Sequence, residues 1–281
     1  MELWRKKKAR KCFLKNRSMF LQKLIADCNG ISNPIRMFSY DQISKATNHF
    51  DPKWRNRRKI LTDQEIYKAS GLWRRREIAY NDIVLSVRVS NHIGFLKLMG
   101  GCLEFPLPVV VFEDLEYRAL NHRGSLDLGM HEISGQNNVF LDKNGTASAK
   151  LTDFSLAVTL PEGKSWVEEM VLGTYGYGDP IYAQTGILTE YPDVFSFGIL
   201  MLVLLLGRPA YINDTMILDY VRDLQVRGEP VEFGGDSNDI RAGQMNMFLH
   251  LALRCCRKRN EDRPKMITVA KDIKLIEQAS L

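Results

Sequence analysis

Residues 194–207, V-F-S-F-G-I-L-M-L-V-L-L-L-G, form the longest apolar run of the chain, 14 residues in all. A bilayer-spanning helix needs about 20 such residues, so this run reads as a helix buried inside protein. A helix apolar on nearly every side must be packed on nearly every side. The chain has the material for that: 281 residues, 45% of them hydrophobic, suit one two-lobed domain or two small ones. The first residues are basic, but no apolar h-region follows them, so no secretory signal is visible. Cys12, Cys28, Cys102, Cys255 and Cys256 are odd in number and include no C-x-x-C pair. They read as ordinary thiols of a reducing compartment, not as a disulfide or zinc framework, and no metal site is expected.

The net charge of +6 conceals a polarity. Residues 1–100 carry 22 Lys/Arg against 8 Asp/Glu, a balance of +14 that leaves −8 for the remainder. The first part of the chain therefore suits an acidic partner or an anionic membrane surface. Residues 1–28 concentrate the effect: Arg5, Lys6, Lys7, Lys8, Arg10 and Lys11 precede Phe13, Leu14, Phe20, Leu21, Leu24 and Ile25 at helical spacing. An amphipathic helix ending near Asn29-Gly30 is expected, more readily packed on its own domain than tethered to lipid. Glu2 excludes N-myristoylation, and no nucleic-acid-binding module accompanies the charges, so no nucleic-acid partner is expected.

The chemistry-bearing stretch is His131 to Ser155, H-E-I-S-G-Q-N-N-V-F-L-D-K-N-G-T-A-S-A-K-L-T-D-F-S. It is followed by Gly173-Thr174-Tyr175-Gly176-Tyr177-Gly178-Asp179-Pro180, by Thr189 to Gly198, by Arg254-Cys255-Cys256 and by Asp262-Arg263-Pro264. Phe38-Ser39-Tyr40, Ala46 to Phe50 and Leu96 to Glu104 precede it. In order and spacing these motifs resemble the plant receptor-like and receptor-like cytoplasmic protein kinases over about Phe38 to Ile273. Asp153-Phe154-Ser155 and the run Phe195 to Leu205 are most similar to the ZED-related subfamily of pseudokinases.

That resemblance implies an α+β, protein-kinase-like two-lobed fold, with a small, basic, β-rich N-lobe and a mainly helical C-lobe. In the kinase pattern H-R-D-x-x-x-x-N, the Asp accepts the substrate proton and the Asn holds magnesium, as does the Asp of D-F-G. Five places before Asn138 stands Ile133, a hydrocarbon that accepts no proton. Glu132 replaces the Arg that meets an activation-loop phosphate, and Ser155 replaces the Gly. His131, Glu132 and Ile133 are thus degenerate positions, and no catalytic residue is expected. Asn138 and Asp153 remain as vestigial magnesium-type positions that leave room for weak Mg-ATP binding; no cofactor is otherwise expected.

Two truncations accompany the lost base. No glycine lies between Gly30 and Gly71, where a phosphate-covering loop belongs. Only 14 residues separate Tyr67 from Asp82, and no nucleotide-pairing Lys can be placed among Lys68 and Arg74 to Arg76. Asp82 falls where the family's pairing Glu would be, and it reads as a surface residue. Seventeen residues separate Glu113, the expected hinge, from His131, too few for the scaffold helix of roughly 20 residues that the family places there. The buried helix at 194–206 is therefore expected to lack its usual packing partner. Ile181 replaces the Glu that pairs with the buried Arg matched by Arg263, so Arg263 must find another carboxylate or reach water.

The expected organisation is a basic helix and linker at 1–33, then a kinase-like domain at 34–281, divided into an N-lobe, 34–113, and a C-lobe, 114–281. The resemblance implies a cytoplasmic adaptor, extending to the inner face of the plasma membrane. Its implied partners are a leucine-rich-repeat NLR immune receptor and receptor-like cytoplasmic kinases modified by a pathogen effector. The alternatives from the residues are a residual ATP-binding serine/threonine kinase-like protein with weak or no phosphotransfer, and a poorly folding truncated duplicate.

Overall fold

The structure, a computed structural model, describes residues 2–28, 35–50, 72–113, 117–119, 139–142, 149–234 and 242–279. The chain divides into two compact units, 1–118 with 138–159 and 119–137 with 160–281. Residues 1–28 belong to the first unit, and so does the segment around Asp153, because Phe95 and Leu151 bridge their backbones.

In the first unit, helix α1 (Glu2–Cys28) lays Phe20 into a cluster with Tyr80, Ile83, Val84 and Val87 of α3 (Leu72–Val89) and with Leu103. The expected packing of the basic helix on its own domain is what the structure shows. Asn16, only 1% exposed, explains why it docks in one register. Its amide donates to the carbonyls of Leu103 and Phe105 at 2.8 Å each, while its oxygen accepts from the Tyr80 hydroxyl at 2.8 Å. A buried amide with its donors and acceptor matched specifies position as well as stability.

Helix α2 (Tyr40–Ala46) starts at a capping box: Ser39 accepts from the Gln42 amide and Gln42 answers the Ser39 amide. Helix α3 begins at Leu72, so Arg74 to Arg76 lie on a helix and are no remnant of a Lys-bearing strand. Strands β1 (Leu98–Cys102) and β2 (Val109–Phe112) pair antiparallel, and β3 (Tyr117–Ala119), β4 (Val139–Asp142) and β5 (Ala149–Leu151) form a second sheet in that order. The linker at 29–34 and residues 51–71, where the phosphate-covering loop is missing, lie outside the described residues.

In the second unit, the apolar run forms α5 (Tyr191–Leu206), closed by Gly207 in the left-handed conformation. The run is nevertheless packed over most of its circumference, while the interval before His131, where its usual partner would stand, lies outside the described residues except for 117–119. Val194, Phe195, Ile199, Leu202, Val203 and Leu206 are buried against α6 (Ile217–Arg227), α7 (Ala242–Cys255) and α8 (Met266–Gln278). Only Leu204, 45% exposed, is an exposed large apolar side chain of α5. Gly198 lets α7 approach closely: a Cβ there would stand 2.6 Å from Cys256 Sγ and 3.0 Å from the Ala252 carbonyl oxygen.

This seam buries thiols. Burial pushes Cys255 up to about 11 and Cys256 up to about 12, and in the first unit Cys102 up to about 11. At pH 8 their thiolate fractions are then on the order of one in a thousand to one in ten thousand, so native labelling is slow and accelerates with rising pH up to those values. A thiol reagent at pH 8 is expected to modify the partly exposed Cys12 while leaving Cys102, Cys255 and Cys256 intact until denaturant is added, as read by mass spectrometry. Rapid native labelling of Cys256 would reveal an open seam and favour the poorly folding duplicate.

Candidate functional site

Of the expected site residues, His131, Glu132, Ile133 and Asn138 lie outside the described residues, and Asp153 is the one whose surroundings are visible. It sits just beyond β5, with φ of 65° in the left-handed region that Asp tolerates better than most residues. Its Oδ1 accepts the Ser155 amide at 3.2 Å, a local turn of the kind Asp side chains make. The adjoining Thr152 hydroxyl is buried and has no hydrogen-bond partner among the described residues.

Two neighbours on α3 hold this turn, one of which, Asp82, the sequence placed on the surface. Asp82 is 6% exposed, not a surface residue: its Oδ1 accepts the Phe154 amide at 2.8 Å and the Ser86 hydroxyl at 3.3 Å. Asn81 donates to the carbonyls of Phe154 at 3.2 Å and Ser155 at 3.3 Å, and also to that of Ala157. Phe154 then packs its ring on Phe95, with centroids 5.6 Å apart. A side-chain carboxylate and amide on consecutive residues thereby hold the irregular backbone from Phe154 to Ala157. The Asn-Asp pair beside the stripe Ile83, Val84, Val87 was the available signal. Its meaning depended on a partner 72 residues away.

Glu113 Oε1 accepts from both the Lys150 ammonium at 2.7 Å and the Lys97 backbone amide at 3.0 Å. Asp82 is thus engaged by a backbone amide and Asp153 by its own turn. Among the described residues no group of three or more His, Cys, Asp or Glu residues is placed to hold a metal ion.

The second unit retains a buried ion pair. Asp179, at the N-terminus of α4 (Pro180–Thr185), meets Arg263 through two 2.8 Å hydrogen bonds, the side chains 0% and 1% exposed. Arg263 also donates to the Arg257 carbonyl at 2.8 Å and lies over the Phe195 ring, while Asp179 Oδ1 accepts the Ile181 amide at 3.1 Å. The guanidinium that lost its family Glu has found its carboxylate two residues upstream of Ile181. Asp193 stands in the first turn of α5; its carboxyl is pushed above the usual value by burial of the group, although the residue as a whole stays exposed.

Between them, a D-F-S turn pinned to a helix and a helical unit closed on a buried Arg–Asp pair define a chain of the protein kinase class. The protein kinase domain family matches residues 135–273. Among curated relatives of Arabidopsis thaliana, the serine/threonine-protein kinase ZRK1 is 43% identical, covering 97% of this chain and 94% of its own. The non-functional pseudokinase ZRK2 is 41% identical, over 95% and 90%, and the non-functional pseudokinase ZED1 is 36% identical, over 98% of each. The chain belongs to this ZED-related family of plant protein kinases and pseudokinases. The alignment to ZRK1 spans 331 positions against the 281 residues here, so at least 50 positions filled in that relative are empty in this chain. Internal truncation is thereby borne out.

Proposed function

We propose that the chain is a catalytically inactive, kinase-like adaptor of the cytoplasm. Ile133 carries the reading: a hydrocarbon stands where phosphotransfer needs a proton acceptor, and general-base catalysis requires a titratable group within hydrogen-bond reach. Names of related proteins support it, since ZRK2 and ZED1 are both called non-functional pseudokinases. ZRK1, called a kinase, marks the alternative of residual phosphotransfer. In that alternative Asp142 or Asp153 would serve as base, yet Asp153 already matches the magnesium-type position and is turned on the Ser155 amide.

Protein binding is supported by what surrounds the lost chemistry. Trp166, Met170, Val171, Leu172 and Tyr175 are exposed along the segment that corresponds to an activation loop. The segment is nevertheless held in place: Val167 and Glu168 pair with Leu188 and Ile187, and Tyr182 donates to the Met170 carbonyl at 2.8 Å. Anchored apolar side chains on a fixed backbone make a binding surface at low entropic cost. By family analogy the partners are an NLR immune receptor and an effector-modified receptor-like cytoplasmic kinase. Incubating the full chain with labelled ATP, alone and with a generic kinase substrate, is expected to give no phosphate incorporation, and co-purification from plant cytosol is expected to recover an NLR receptor. Incorporation abolished by Asp153→Ala would overturn the reading.

A further inference from the structure

Helix α1 has an outer face that its docking does not use. Phe20 and Asn16 point inward, which turns Lys7, Arg10, Lys11, Leu14, Arg17 and Leu21 to solvent. Leu14 is 59% exposed and Leu21 46%. At 3.6 residues per turn these two lie in line, two turns apart, with Arg10 and Arg17 along one flank and Lys7 and Lys11 along the other. No Asp or Glu occurs between positions 3 and 26, so no acidic residue of the helix is interspersed among these cations. Among the described residues no helix is long and apolar enough to cross a membrane.

We infer that this face is a peripheral binding surface for an anionic phospholipid bilayer. Two leucines on a convex helix make a ridge too small for a stable protein interface, which buries hundreds of Å² on each side. A bilayer needs no matching groove: the leucines enter the headgroup boundary while the flanking cations sit at the phosphate level, the arrangement of interfacial helices. Each cation near an anionic surface strengthens binding several-fold, and the long Lys and Arg stems reach past the leucines. Because Phe20 and Asn16 hold the helix on its unit, the face is presented already folded, with no helix-forming entropy left to supply on binding.

The test is co-sedimentation of the full chain with vesicles of phosphatidylcholine alone or mixed with phosphatidylserine. Binding is expected only to the mixed vesicles, and it weakens as salt rises. Replacing Lys7, Arg10, Lys11 and Arg17 with Gln lowers partitioning on the order of a thousandfold, and replacing Leu14 and Leu21 with Gln lowers it on the order of tenfold. Leu14→Trp at the same exposed site raises it, a gain that no loss of folding can imitate. Equal binding to both vesicles, no binding to the mixed vesicles at low salt, or unchanged partitioning of the variants each overturns the inference. Loss of an acidic protein partner in the Gln variants, with no vesicle binding by the wild type, would assign the face to that partner instead.

Discussion

Asp179→Ala is expected to lower the stability of the second unit by about 3–5 kcal/mol, because it leaves the Arg263 guanidinium buried without its counter-charge. The remaining partners of Arg263 are the Arg257 and Tyr191 carbonyls, at 2.8 and 3.4 Å, and they supply dipoles in place of a charge. The same substitution removes the side-chain acceptor for the Ile181 amide at the start of α4, adding roughly 1 kcal/mol. Arg263→Lys is also expected to fail, since an ammonium cannot reproduce the two-bond fork on Asp179. The double change Asp179→Leu with Arg263→Met should recover much of the loss, because burying two charges is costly even when they are paired. Chemical denaturation of the full chain measures all three. A loss below about 1 kcal/mol for Asp179→Ala would mean that water reaches the guanidinium.

Leu202→Ala is expected to cost about 2–5 kcal/mol. Leu202 is 0% exposed within the cluster that joins α5 to its neighbours, and the cavity left behind would be lined by side chains from more than one helix. Gly198→Ala, one turn earlier on the same helix, attacks the seam by crowding: the added Cβ meets a carbonyl oxygen and a Cβ that cannot swing away, so a loss of about 1–3 kcal/mol is expected. Amide exchange along residues 194–206 reports both. Slow exchange in the wild type and faster exchange in each variant is the expected pattern. Fast exchange already in the wild type would show that the apolar run is not stably packed.

Much of the scaffold was legible beforehand because helices announce themselves by period. The stripe Ile83, Val84, Val87 on α3 and the inward residues of α5 are local patterns. The start of α3 was not legible, since Leu72 to Ile78 mixes arginines with apolar residues and could equally have been a strand remnant. Asn16 had a signal that went unread: a polar residue spaced between Phe13 and Phe20 on an otherwise apolar face is a candidate for buried hydrogen bonding. Of the candidate site, Asp153 was identified in sequence, whereas the hold that Asn81 and Asp82 exert on the turn after it was not.

By itself, then, the chain's sequence determined the family, the helices of both units, the absence of a proton acceptor at Ile133 and the need of Arg263 for a new partner. Those conclusions follow from identity and spacing, which act over a few residues. Only the tertiary structure decided that the partner is Asp179, 84 positions away, that Asp82 is a buried brace for Phe154, and that α7 covers the apolar run. The reason is physical. A carboxylate's neighbour is chosen by which long-range approach leaves no buried charge or amide unmatched, and that choice is made only when the whole unit closes.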